Sequence, residues 1–279
     1  MLTLTFLGIR EPSEEDARAV LIPVPYDVMT SYGTGARFGP DAILRASLQI
    51  ETYDSELERD LEDLPVVTRE PLLPDKSSPE AMMEALERIV REVDEAGKMP
   101  VVVGGDHSLS IAPTRYFARK IRGLGILHLD AHSDLRREWE GTSLSHACSM
   151  RHAYERGAEL VQVGIRSTPQ EVEEECRERR KVFWAPDVPV DAIVAALPEK
   201  VYVSIDIDVL DPSLMPATGT PEPGGIGWYD LLALLRTVAE KRTVVGFDLM
   251  ELSPVAGFTH PEFTAAKLLA KFLGYLYLK

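Results

Sequence analysis

Leu124-Gly-Ile-Leu-His-Leu-Asp-Ala-His-Ser-Asp134 is the stretch on which the fold turns. An apolar run that breaks off into charge reads as a strand running into a loop. Asp130, His132 and Asp134 occupy alternate positions, so an extended backbone points all three to one side of the strand end. Clustered carboxylates repel one another and protonate unless cations lie between them. The competing reading is a polar loop with its charges in water and an incidental histidine.

The same sequence grammar recurs on both sides of this stretch. Pro100-Val-Val-Val103 is a short apolar strand of the kind buried on both faces of a parallel sheet, and it runs straight into Gly104-Gly-Asp-His-Ser108. Residues 201–207 form a strand carrying Asp206, with Asp208 just beyond, and residues 243–250 form another followed by Glu251. Residues 20–25 and 160–164 read as further strands. Helices are expected at 41–47, from Ser77 to Gly97, at 109–122, from Pro169, at 228–241 and at 261–278. Capping boxes are expected at Ser77/Glu80, Thr168/Glu171 and Thr259/Glu262. The glycine-rich segment 31–40 is a loop, for which plain loop architecture is the default explanation and close backbone approach the other. Alternating strand and helix without linker or repeat imply one α/β domain over 1–279, with a mainly parallel sheet between two helical layers.

Composition narrows the function. The 279 residues, 45% of them hydrophobic, suffice for a large core. A net charge of -15 argues against nonspecific nucleic-acid binding and is compatible with a cationic ligand. No apolar run is long enough for a membrane span, and the first nine residues lack the basic start of a signal peptide. Cys148 and Cys176 show no disulfide, metal or redox spacing, so a cytoplasmic location is expected.

In a parallel sheet the carboxyl ends of all strands share one rim, which is where such folds bind ligands. His107, Asp130, His132, Asp134, Asp206 and Asp208 would therefore converge there, with Glu251 beside them. Six ligands, four of them carboxylates, are too many for one zinc ion and suit manganese. If Asp130 and Asp206 bridge, two ions sit about 3.5–4 Å apart. Asp211, next to Pro212, reads instead as a turn cap.

Gly-Gly-Asp-His-Ser at 104–108, Asp-Ala-His-Ser-Asp at 130–134 and Ser-Ile-Asp-Ile-Asp-Val-Leu-Asp-Pro at 204–212 resemble the three signatures of the ureohydrolase family of arginases and agmatinases. Pro25-Tyr-Asp, Gly35-Ala-Arg-Phe-Gly-Pro40 and Gly219-Thr-Pro-Glu-Pro-Gly-Gly225 resemble its agmatinase branch, and the likeness spans nearly the whole chain. It implies an arginase-like fold and two Mn2+ ions, one bound by His107, Asp130, Asp134 and Asp206, the other by Asp130, His132, Asp206 and Asp208. It further implies attack of a metal-bridging hydroxide on a guanidinium carbon, with Asp134 orienting the nucleophile, His146 shuttling a proton to the leaving amine and Glu251 holding the guanidinium. Ala147, Cys148 and Ser149 after His146 depart from the glycine the family often has there, which leaves recognition around His146 less defined.

The loop 135–145 differs from the serine- and asparagine-bearing loop of arginases, so agmatine, cleaved to putrescine and urea, is the expected substrate. N1-aminopropylagmatine, guanidinobutyrate, formimidoylglutamate and arginine are the alternatives. Trp139 and Glu140 are candidates to meet a cationic tail, whereas Arg136 and Arg137 would oppose one if they pointed inward. A homo-oligomer, trimer or hexamer, follows from the resemblance alone. A dinuclear phosphoesterase is disfavoured because no Asn-His pair is present, and a metal-binding subunit without catalysis because all eight site residues are.

Overall fold

The structure, a computed structural model, describes residues 4–75 and 77–278. Met1 to Thr3, Lys76 and Lys279 lie outside the described residues, so the expectation for the first nine residues and the two ends of the 1–279 span are covered only in part. The chain forms β1 (Ala19–Pro23), α1 (Gly39–Ser47), the short hairpin β2 (Tyr53–Asp54) and β3 (Arg59–Asp60), β4 (Val66–Thr68), α2 (Pro79–Glu95), β5 (Met99–Val103) and α3 (Ile111–Lys120). There follow β6 (Gly125–Leu129), α4 (Arg151–Glu155), β7 (Glu159–Ile165), α5 (Gln170–Glu175), β8 (Arg180–Trp184), α6 (Val190–Ala196), β9 (Lys200–Asp206), α7 (Trp228–Lys241), β10 (Thr243–Met250) and α8 (His260–Tyr277). Eight strands make one sheet in the order β4-β1-β5-β10-β9-β6-β7-β8. Every pairing in it is parallel.

Alternation along the strands divides the core into two layers. Val101, Val103, Phe247 and Leu249 face a cluster completed by Ile43 of α1, Leu235 of α7 and Phe272 of α8. Val102, Ile126 and Tyr202 face the opposite cluster with Met82 and Leu86 of α2 and Phe117 of α3. Because both faces are covered, the central strands are apolar on both sides, which is why 100–103 reads as an unbroken hydrophobic run. No helix among the described residues is long and apolar enough to cross a membrane.

The expected elements are present, with shifts at their ends. Strand 20–25 ends at Pro23, and the helix expected from 109 is preceded by a 3-10 turn at His107–Ser110. The capping boxes do not form. Pro79 occupies the first helical turn, which makes Ser78 the cap; its hydroxyl accepts from the Ala81 amide at 3.1 Å, while Ser77 turns to Asp75. Pro169 takes the cap position of α5, and the Thr168 hydroxyl reaches the Glu173 side chain instead. Thr259 already has helical dihedrals, and Pro261 removes one of the amides its hydroxyl would have met. β4, β8, α4, α6 and the β2/β3 hairpin are additional to the elements expected from the sequence.

Phe247 on the central strand β10 meets Phe272 of α8 at a ring-centroid distance of 4.7 Å. Phe247→Ala is expected to lower unfolding free energy by about 3–5 kcal/mol, read from denaturant titration of the full chain. A loss under about 1 kcal/mol would mean that α8 is not held through this contact.

Candidate metal centre and the pocket above it

Four adjacent strands, β5, β10, β9 and β6, deliver the charged groups to one rim of the sheet. β5 ends in the turn Gly104-Gly105-Asp106-His107, and Gly105 is required there because a Cβ would stand 1.8 Å from the Tyr26 carbonyl oxygen. Asp106 caps the 3-10 turn through Ser108 and accepts from the Met29 amide at 3.0 Å, tying the next loop to the rim. β6 ends at Leu129 and hands Asp130 to Asp134 to the rim; β9 ends on Asp206, with Asp208 in the following 3-10 turn.

His107 Nδ1 lies 3.1 Å from Asp130 Oδ2, 3.1 Å from Asp134 Oδ2 and 3.2 Å from Asp206 Oδ2. His132 Nδ1 lies 2.9 Å from Asp208 Oδ2 and 3.5 Å from Asp130 Oδ1. Asp130 thus turns one oxygen to each group. Contacts near 3.1 Å match the edge of an octahedron whose metal–ligand bonds are about 2.1 Å long. His107 Nδ1 is buried among three carboxylate oxygens without a hydrogen-bond partner, the condition a cation between them would relieve. The residues present therefore fit a divalent metal centre. Asp206 turns Oδ2 to the His107 group, and its Oδ1 accepts from the Asp208 amide at 2.9 Å.

The carboxylates are aimed by their surroundings. Asp208 Oδ1 accepts from the Ala131 amide at 2.9 Å, Asp134 Oδ2 from the Ser149 hydroxyl at 2.9 Å, and Asp130 Oδ1 from the His132 amide at 2.5 Å. His107 Nε2 lies 2.9 Å from Ser204 Oγ, and the Ser204 hydroxyl donates to Asp248, so Nδ1 presents its lone pair to the centre. Burial pushes the Asp206 and Asp208 carboxyls upward, and repulsion from neighbouring aspartates adds to it. Burial acts the same way on Asp130 but is overcome by His128, His107 and His132, which hold it well below the usual carboxylate range. Burial opposes a charged His107, yet Asp130, Asp134 and Asp206 outweigh it and hold its pKa well above the ordinary value. A metal ion among the same atoms answers the same need and displaces that proton.

Above the centre lies a cavity of about 320 Å³ whose wall includes His132, Asp134, His146 and Glu251. Asp134 and Glu251 both have left-handed backbones, with φ of 52° and 67°, a conformation that costs a non-glycine residue about 1–3 kcal/mol. Glu251 Oε1 accepts from the His107 amide at 2.6 Å. His146 Nδ1 donates to the Met29 carbonyl, which leaves Nε2 toward Ser31 Oγ at 3.4 Å. Trp139 is fixed by its indole N–H to Ser31 Oγ at 2.6 Å, and the Arg136 guanidinium lies over its ring at 4.5 Å. Arg136 reaches the wall, but Glu171 balances its charge at 2.9 Å; Arg137 pairs with Glu175 at 3.0 Å and is not part of the wall. Glu140 sits in the exposed turn after Trp139, also off the wall.

Asp211 caps its turn through the amides of Ser213, Gly224 and Gly225, contacts that, led by Ser213, bring its carboxyl down to about 2. Gly33 corrects the default for the 31–40 loop: its Cβ would stand 2.7 Å from the Gly219 carbonyl oxygen, so close backbone approach is the reason for glycine there. His128 and Gln162, buried beneath Asp130, were missing from the candidate residues. The available signal was an imidazole inside an apolar strand, in the same alternate register as Asp130 and His132.

The family model of arginases matches residues 17–274. The N(1)-aminopropylagmatine ureohydrolase of Synechocystis is 38% identical over 276 residues, covering 94% of this chain and 90% of that protein. The agmatinase of Pyrococcus horikoshii is 36% identical over 266 residues, covering 93% and 92%. The crystal structure of agmatine ureohydrolase of Thermoplasma volcanium superposes with a TM-score of 0.91 at 28% identity, over 100% of this chain and 96% of that one.

His132→Ala and Asp208→Ala are each expected to lower the manganese bound per chain below that of the unaltered protein, measured by elemental analysis after dialysis. Undiminished metal binding in both variants would refute the grouping of these side chains around a metal.

Proposed function

The chain belongs to the arginase family, and from that premise we propose that it hydrolyses a guanidino compound with a cationic tail, agmatine to putrescine and urea, using two Mn2+ ions. The observation that carries the reading is Asp130, whose two oxygens face two separate histidine and aspartate groups. One ion is assigned to His107, Asp130, Asp134 and Asp206, and the other to Asp130, His132, Asp206 and Asp208. Bound there, the pair would lower the pKa of a water toward neutrality and would offer positive charge to the negative charge that develops on the guanidino group.

The chain's own residues supply the rest. Asp134, held by Ser149 and by its left-handed backbone, accepts a proton from the attacking water and orients it. Glu251 spends Oε1 on the His107 amide, leaving Oε2 to take guanidinium N–H groups by charge-assisted hydrogen bonds. His146, with Nδ1 committed to the Met29 carbonyl, carries the transferred proton on Nε2 to the departing amine. Glu171 neutralises Arg136 at the wall, which removes the repulsion a cationic tail would meet and the free cation an acidic tail would need. A longer aminopropyl tail is the second reading, favoured by relatives 38% identical that are named N(1)-aminopropylagmatine ureohydrolase. Assembly as a cytoplasmic homo-oligomer belongs to the same proposal and rests on the family likeness.

With manganese supplied, urea release is expected to be greatest with agmatine or N1-aminopropylagmatine and weak with arginine and guanidinobutyrate; formamide release reports on formimidoylglutamate. No turnover of any of the five would sink the enzymatic reading. His146→Ala should lower kcat with the best substrate by about 10²- to 10⁴-fold while leaving bound manganese unchanged. An undiminished kcat would remove His146 from proton transfer.

A further inference from the structure

We propose that His128 is not a metal ligand but the residue that holds the shared carboxylate of Asp130, and that Gln162 and Arg180 lock it in that role. The inference rests on the two-metal reading above. Proximity alone would admit His128 as a ligand, because its ring nitrogen stands within 4.8 Å of donor atoms of His107, Asp130 and Asp134. What separates the two roles is which nitrogen carries the proton.

The surroundings fix that proton by elimination. A guanidinium has no acceptor, so Arg180 Nε, which donates to Gln162, must face the amide oxygen Oε1. A backbone carbonyl cannot donate, so the Ser133 oxygen, 2.8 Å from Gln162 Nε2, independently requires the amide NH2 on that side. The same NH2 lies 2.7 Å from His128 Nδ1. Nδ1 is therefore an acceptor, and a doubly protonated ring would set two donors against each other. The imidazole then carries its single proton on Nε2, the nitrogen that lies 2.8 Å from Asp130 Oδ2. A nitrogen bearing that proton has no lone pair for a metal.

His107 has the opposite arrangement. Its ring centroid is 5.3 Å from that of His128, but Ser204 occupies its Nε2 and Nδ1 turns inward. One imidazole presents a lone pair to the centre and the other an N–H to the carboxylate between the two groups. The sheet register places Gln162, His128, Ser204 and Asp248 side by side on β7, β6, β9 and β10, a polar row one layer beneath the candidate ligands. The row extends outward through Arg180 to Glu173 at 2.6 Å, which also accepts from Thr168 on the pocket wall.

His128→Ala and Gln162→Leu test this in the metal-stripped full chain titrated with Mn2+ by calorimetry. Both are expected to bind Mn2+ about ten- to a hundredfold more weakly. Pulsed electron paramagnetic resonance of the Mn2+-loaded protein should count the same coordinated imidazole nitrogens, two, in the unaltered chain and in both variants. Loss of a nitrogen coupling in His128→Ala, or unchanged affinity in both variants, overturns the inference. Should either variant fail to fold, the unaltered chain still decides: two nitrogens support the assignment, and three overturn it while leaving the metal centre standing. No Mn2+ binding by the unaltered chain overturns the metal-centre reading and this inference with it.

Discussion

The structure depends on one electrostatic constraint: Asp130, Asp134, Asp206 and Asp208 are buried within reach of one another at the end of an apolar sheet. Burial in such surroundings is among the most expensive placements a carboxylate can have. Much of the neighbouring detail answers that cost. Amides of Ala131, His132 and Asp208 are spent on carboxylate oxygens, the Ser149 hydroxyl on Asp134, and backbone strain is accepted at Asp134 and Glu251. A core this polar would weaken a fold unless cations completed it, so stability and chemistry are coupled through the same atoms.

The polar row from Gln162 to Asp248 separates two tasks. It lies inside the sheet, where neighbouring strands hold each side chain, and it fixes the orientation of the groups that face a metal. The pocket mouth is built differently, from the loops around Ser31 and Trp139 and the entry to α5. There the contacts are single hydrogen bonds and exposed ion pairs such as Arg136 with Glu171, individually worth little to stability.

The sequence disclosed the central strands because each is an unbroken apolar run that stops at a charged residue, and it disclosed the rim because parallel strands put those stops on one side. It did not disclose β4, which is three residues long, or β8, whose Arg180-Lys181 start and part-exposed edge position carry no hydrophobic signature. The capping boxes misread the helix starts because Pro79, Pro169 and Pro261 set those ends. His128 was hidden for a related reason: its partner Gln162 comes from β7, and only the register of the sheet brings the two side by side. The roles of Arg136 and Arg137 likewise depended on α5, whose glutamates lie 35 and 38 residues further along the chain.

The position of β10 has a consequence for how the rim is put together. The strands that precede it in the chain form two separate ribbons, β4-β1-β5 and β9-β6-β7-β8, and β10 is the strand between them. In the sheet, His107 follows a strand of one ribbon and Asp130, His132, Asp134, Asp206 and Asp208 follow strands of the other, so β10 brings them to a common rim. His107 precedes these carboxylates in the chain yet joins them through β10, which pairs with both β5 and β9 and covers an edge of each. Completing the charged cluster and covering two strand edges thus fall to one strand, among the last elements in the chain.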